Sequence, residues 1–359
     1  MSAAPTHTLA AARAPEDEVP ADEDLLSAAE LTGFLQSFGE RLPSIAIVGD
    51  TMLGGRTRKV ISAHGPEYPF ASVRPLMQRA HTLIGNLEGP LARHAAKQER
   101  RHCYRVNPRL AGALSQAGFR IMTLANNHLL DCGREGVVET LESLERAGLI
   151  AIGAGRNVGE AHAPAIFSAG GLRVGVLGYY WNRRTAATEL LPGSAMDPPE
   201  ALAADIGALR LCVDRIVVTF HWGETYQRQP SSIDVAKARL AIDLGADAVV
   251  GHHPHIMQPF EIYRQRPIFY SIGNFAFGSG NSRAEGLLLE LAFEPDRTIA
   301  YLYPLYVRNR DARIAYQPKA LRGRSAARLL RRLADMSGAV GHSLIIEEIR
   351  GRLAVPREC

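Results

Sequence analysis

The sequence predicts an α/β fold with a mixed sheet, and two observations carry that prediction. From Ser44 onward, short apolar runs end in Gly, Asn, Asp or His and are followed by longer segments with helical periodicity, the alternation expected of βα units. After Gly286, segments 287–293 and 298–307 alternate like antiparallel strands, so parallel and antiparallel pairing should coexist.

In chain order, residues 1–23 are rich in Ala, Pro, Thr, Asp and Glu without periodicity and are expected to be a disordered tail. Residues 24–40 repeat Leu25, Leu26, Leu31, Phe34, Leu35 and Phe38 at helical spacing and predict an amphipathic helix. Strands are expected at 45–48, 81–86, 121–124, 172–178, 215–220, 248–250 and 267–271. A helix over 134–147 places Val137, Val138, Leu141 and Leu144 on one face and stops at Gly148. A second over 233–244 stops in the same way at Gly245, and 326–336 reads as a basic terminal helix. Residues 41–310 are therefore expected to form the functional unit and 311–359 a C-terminal helical extension.

Of the 359 residues, 46% are hydrophobic and 22% charged, which excludes disorder for most of the chain. The net charge of +4 is too small to make nucleic acid the default partner. Cys103, Cys132, Cys212 and Cys359 lack paired spacing, which fits a reducing compartment. With neither a signal-type segment nor a long apolar run, the expectation is a cytoplasmic protein without a membrane segment.

Chemistry collects where predicted strands end. Residues 45–48 lead into Gly49 and Asp50; 82–85 into Asn86 and Glu88; 121–125 into Asn126, Asn127 and His128; 217–220 into His221; and 248–250 into His252, His253 and His255. α/β folds bind ligands at such carboxyl-terminal strand ends. Carboxylate, amide and imidazole together suit Mn, Fe, Zn or a related divalent ion, and the absence of clustered thiols argues against a structural zinc site. Glu88 is the candidate to bridge two ions, and Pro254 restrains the backbone between His253 and His255.

The stretches GDTML at 49–53, NLEGPL at 86–91, LANNHLLDCGREG at 124–136, FHWGETY at 220–226, and VVGHHPHIMQPFE with YSIGNFAF at 270–277 resemble the CapA family of poly-γ-glutamate capsule synthesis proteins. That family is similar in fold to the calcineurin-like metallophosphoesterases. The resemblance implies a four-layer αββα sandwich of two mixed sheets with one or two divalent ions at one edge. It implies Asp50, Glu88, Asn127, His221, His253 and His255 as metal ligands and His128 as proton donor or oxyanion partner. Asn126 is expected to support its loop, Asp131 to help turn the chain into the next helix, and His252 either to orient its neighbours or to join the ligands. Arg105, in the YRVNP stretch, is a candidate carboxylate or phosphate clamp.

Some residues depart from the pattern or allow two readings. Met52 stands where the wider phosphoesterases have an imidazole ligand, and Glu224 follows Gly223 directly, with Thr225 where the family has Glu. Trp222 would either close over substrate or pack beneath its loop, and Asn274 would shape a turn or donate to an oxyanion. Lys97, Arg100, Arg101, Arg183 and Arg184 offer further positive charge to a peptide or polyanionic substrate. The leading expectation is a metal-dependent hydrolase or transferase acting on an amide or ester bond of a carboxylate-rich peptide. The alternatives are a metal-dependent phosphoesterase and a non-catalytic assembly subunit of a poly-γ-glutamate synthetase.

Overall fold

Each main strand turns alternate apolar side chains to opposite sides, and that alternation builds a layered molecule. In the computed structural model, which describes residues 19–38, 43–96, 103–278, 286–309 and 311–357, two mixed sheets pack face to face. In the larger sheet Ser44–Met52 pairs in parallel with Thr82–Leu87, which pairs in parallel with Phe119–Thr123. On its other side Ser44–Met52 runs antiparallel to Gly286–Phe293, which pairs antiparallel with Arg297–Tyr306. The second sheet places Leu172–Tyr180, Arg215–His221 and Ala248–His252 side by side in parallel, with Ala165–Ala169 antiparallel at one edge.

Ile45 and Ile47 face inward against Val174, Val176, Val217, Ala248 and Val250 of the second sheet. Ala46 and Val48 face outward against the helices Leu110–Ala117 and Gly133–Arg146, through Leu110, Leu114, Val137, Leu141 and Leu144. The second sheet sends Leu177, Ile216, Val218 and Val249 outward against Pro199–Arg210 and Ser232–Asp243. The result is the expected αββα order, with apolar burial as its main driving force.

The anticipated strands occur, most of them with shifted or longer bounds, and further strands pair beside them, among them Ile150–Ile152, Ala165–Ala169, Phe260–Tyr263 and Asn274–Phe277. The N-terminal helix covers Ala28–Gln36, shorter than the 24–40 periodicity implied, because Ser27 and Glu30 form a reciprocal capping box that fixes its start. Residues 39–40 lie outside the described residues, as do 1–18 of the expected tail. The C-terminal segment contains the helix Gly323–Met336, but it also returns as the strand Gly351–Pro356, which pairs antiparallel with Arg297–Tyr306. It is thus woven into the larger sheet rather than being purely helical. No helix among the described residues is long and apolar enough to cross a membrane.

Candidate metal centre

Because the chemistry-bearing strands within each sheet are parallel, their carboxyl ends lie on one side of the molecule. Asp50 sits near the end of the first strand, and its backbone NH donates to Gly273 O at 3.0 Å. That approach requires glycine at 49: a Cβ there would lie 2.1 Å from the Gly273 carbonyl oxygen. The two sheets meet behind the site, where His252 Nε2 lies 3.2 Å from Val48 O. His252 therefore braces the junction, although its buried Nδ1 has no hydrogen-bond partner among the described residues.

Asp50 and Glu88 are both fully buried. One ligand atom from each, with one from His255, forms a set whose members lie within 4.8 Å of one another. His255 Nδ1 is 3.0 Å from Asp50 Oδ2 and 3.0 Å from Asn274 Oδ1, so the Asn274 side chain orients an imidazole. The backbone NH of His253 donates to Asp50 Oδ2 at 3.3 Å, and its ring lies 4.7 Å from that of His221 and 5.9 Å from that of His255, centre to centre. His221 Nε2 is 3.0 Å from Asn127 Oδ1. All six residues expected as ligands are thus linked in one cluster.

The hub of that cluster is Asn86, a residue that sequence reasoning placed at the strand end but gave no role. Its Nδ2 donates to Asp50 Oδ1 at 2.8 Å and Glu88 Oε1 at 3.2 Å, and lies 3.3 Å from His221 Nδ1. Its Oδ1 accepts from Asn126 Nδ2 at 3.2 Å, and the same nitrogen donates to Leu87 O at 2.8 Å. Asn126 Oδ1 in turn accepts the backbone NH of His128 at 3.1 Å, a contact within their shared loop.

His128 is held from both sides. Its Nδ1 lies 2.9 Å from Asp131 Oδ2, its Nε2 faces Glu88 Oε2 at 3.9 Å, and Tyr104 packs against its ring at 4.7 Å between centres. Asp131 also accepts the backbone NH of Tyr104 at 2.6 Å, so it binds the catalytic candidate to a neighbouring segment; the helix it was expected to introduce is instead capped by Cys132, without a side-chain bond.

Electrostatics separates the two buried carboxyls. Burial and then the charge of Asp50 push Glu88 well above the usual carboxylate range. Burial also opposes ionisation of Asp50, but the His255 hydrogen bond and neighbouring imidazoles outweigh it and hold Asp50 well below that range. Burial, with His253 next, depresses His221 strongly. Burial and then His255 bring His253 down to about 4.

Such an arrangement is costly unless something binds it. Glu88 Oε2 and His253 Nδ1 are buried without a hydrogen-bond partner among the described residues. His253 at φ 99° and His255 at φ 58° occupy the left-handed region that side chains other than glycine rarely adopt. Orphaned carboxylate and imidazole atoms, held by strained backbone, suit a divalent cation in their chemistry.

The remaining candidates lie elsewhere. Trp222 is not a lid: it is buried, stacks on Phe220 at 4.6 Å and donates from Nε1 to Tyr270 O at 2.9 Å, so it packs beneath the loop. Met52 cannot replace the missing imidazole, because its Sδ accepts the Gly54 NH at 3.1 Å inside the core. Glu224 and Arg105 are exposed, Arg105 being next to the Tyr104 that packs on His128. Burial pushes the Cys132 thiol up to about 11, consistent with a packing role. Lys97, Arg100 and Arg101 lie outside the described residues.

Comparison with known proteins adds a family to this geometry. A family model described as "Bacterial capsule synthesis protein PGA_cap" matches residues 44–279. The capsule biosynthesis protein CapA of Bacillus anthracis is 33% identical over 252 residues, covering 67% of this chain and 61% of that protein. The PGA biosynthesis protein CapA of Bacillus subtilis is 30% identical over 254 residues, covering 69% and 67%. This chain therefore matches less than two thirds of the Bacillus anthracis protein's length. Among solved structures, a 5'-nucleotidase precursor from Thermus thermophilus aligns with a TM-score of 0.45 at 18% identity, over 70% of this chain and 51% of that one. The NAD nucleotidase of Haemophilus influenzae gives 0.46 at 13% identity, over 83% and 57%. The match over residues 44–279 takes in every member of the buried cluster, and the chain belongs to the bacterial capsule synthesis protein PGA_cap family.

Proposed function

We propose that this chain is a metal-dependent enzyme that breaks or re-forms an amide or ester bond in a carboxylate-rich peptide such as poly-γ-glutamate. The observation that carries the proposal is the buried convergence of Asp50, Glu88 and His255 beside the orphaned Glu88 Oε2 and His253 Nδ1. The capsule and PGA biosynthesis names of the Bacillus relatives favour a glutamyl substrate.

Asp50, Glu88, Asn127, His221, His253 and His255 would hold one or two divalent ions. Such ions, when bound, supply Lewis-acid polarisation of the scissile group and make a water molecule more acidic. The chain's own residues do the rest. Asn86 fixes the separation of Asp50, Glu88 and His221, and Asn274 fixes His255. Asp131 holds His128 through Nδ1, which leaves Nε2 to hand a proton to the departing nitrogen or oxygen. Arg105, exposed beside Tyr104, is assigned to a substrate carboxylate.

The test is elemental analysis of the purified chain, followed by assay of γ-glutamyl amides and chromogenic phosphate esters with added manganese, comparing wild type with Glu88→Ala. The expected result is bound metal, turnover of the glutamyl amide, and loss of both in the variant. Turnover of phosphate esters alone would make the chain a phosphoesterase. Full complementation of polymer synthesis by a metal-free, inactive Glu88→Ala chain would make it an assembly subunit.

A further inference from the structure

At the opposite end of the second sheet, four guanidinium groups gather around one buried carboxylate. Asp247, 1% exposed, precedes the strand Ala248–His252. Its Oδ2 accepts the backbone NH of Ile216 at 2.8 Å and Arg210 Nη1 at 3.2 Å, while its Oδ1 lies 3.0 Å from Arg357 Nη2 and 3.4 Å from Arg266 Nε. Arg215 approaches the same carboxylate and bonds otherwise to backbone, through Nη1 to Asp214 O at 2.9 Å and Nη2 to Glu294 O at 3.4 Å.

The acceptors run out before the donors do. Arg210 Nε and Nη2, Arg215 Nε and Arg357 Nη1 are buried without a hydrogen-bond partner among the described residues. Other nearby carboxylates are committed: Asp214 accepts the backbone NH of Arg173 at 2.7 Å, and Glu294 and Asp296 pair with Arg297 at 3.1 Å and 2.6 Å. Even counting Asp214 with Asp247, positive charge from Arg210, Arg215, Arg266 and Arg357 exceeds negative charge. Closely spaced guanidiniums in a partly desolvated setting repel one another, and unfilled buried donors carry a desolvation cost with nothing to offset it.

A polyvalent oxyanion relieves both penalties. It offers several acceptors to planar donor forks, and its charge offsets the surplus. We propose that Arg210, Arg215, Arg266 and Arg357 form a second binding site, for a phosphate-type oxyanion. The rim is open where the side chains of Arg210 and Arg266 are 35% and 22% exposed, so a larger molecule carrying the group can extend outward. The site is separate from the carboxylate–imidazole cluster: Arg215 and His221 occupy opposite ends of the same strand, about 20 Å apart at the usual rise per residue.

The experiment measures thermal unfolding and calorimetric binding of inorganic phosphate by the chain in EDTA, against sodium chloride at equal ionic strength, which keeps phosphate from acting through a bound metal. The expected result is a rise in Tm of several degrees and one phosphate per chain, with affinity about tenfold weaker in Arg210→Gln and in Arg215→Gln. Glu88→Gln should bind phosphate as wild type does. A parallel arm with glycerol phosphate identifies the source: tighter binding than inorganic phosphate assigns the group to a larger molecule, and equal or weaker binding assigns it to the free ion. No shift beyond that of chloride overturns the proposal, as does unchanged binding in a folded Arg210→Gln chain. Arg210 is partly exposed, so that variant should fold even if Arg215→Gln does not.

Discussion

His128 carries the clearest single-residue prediction, because it joins the buried cluster to Asp131 without belonging to the expected ligand set. His128→Gln should keep the metal content of wild type and lower turnover by about 10²–10⁴-fold, the usual range for a lost general acid. Asp131→Asn should cost less, since it leaves the ring in place and perturbs its orientation and basicity along with the Tyr104 contact. Equal turnover in wild type and His128→Gln, read by steady-state assay beside elemental analysis, removes the histidine from the chemistry. A second prediction concerns pH. The His253 ring is brought down from 6.5 to about 4 in the fold, whereas the unfolded chain protonates it near its ordinary value. The unfolded state therefore takes up a proton that the folded state refuses, so stability present above about pH 6.5 is lost as the pH falls towards 4, by up to about 3 kcal/mol. Denaturant unfolding of the EDTA-treated chain across that window should show this fall, and His253→Asn should make it shallower while His221 keeps its share.

At the scale of elements, the site depends on strands whose ends are brought close by backbone rather than by side chains. Gly49→Ala tests this, because the added Cβ meets the Gly273 carbonyl that accepts the Asp50 NH. The strand must shift to make room, and the expected cost is more than about 3 kcal/mol together with loss of metal binding, read by chemical denaturation and elemental analysis. The same backbone logic explains what was legible in the sequence. The strand ends at Asp50, Glu88, Asn127, His221 and His253 announced themselves because polar groups interrupt apolar runs there. Asn86 did not, since its role comes from contacts with three neighbours that only the packing of the two sheets brings together. Trp222 reads alike whether it covers a ligand or fills a core, and only its hydrogen bond to Tyr270 decides the matter. The arginine cluster was wholly illegible: residues 210, 215, 247, 266 and 357 form no motif and meet through tertiary folding alone.

For the molecule as a whole, the sandwich is closed by chain that comes last. The helix Gly323–Met336 inserts Leu329, Leu330 and Leu333 into the apolar layer between the sheets, and Leu353 and Val355 of the final strand join them. That strand also covers Arg297–Tyr306, whose backbone groups would otherwise form an exposed, aggregation-prone edge. The C-terminal segment should therefore govern global stability while leaving the metal centre's donor set untouched. Leu330→Ala isolates the effect, since the side chain is fully buried and its loss leaves a cavity that a packed layer relaxes into only partly. The expected destabilisation is about 2–5 kcal/mol by denaturant unfolding, with the metal-to-protein ratio of the folded chain unchanged. A fall in that ratio in the still-folded variant would mean that the two sheets transmit strain from this helix to the carboxyl ends of their strands, and that scaffold and site are one cooperative unit.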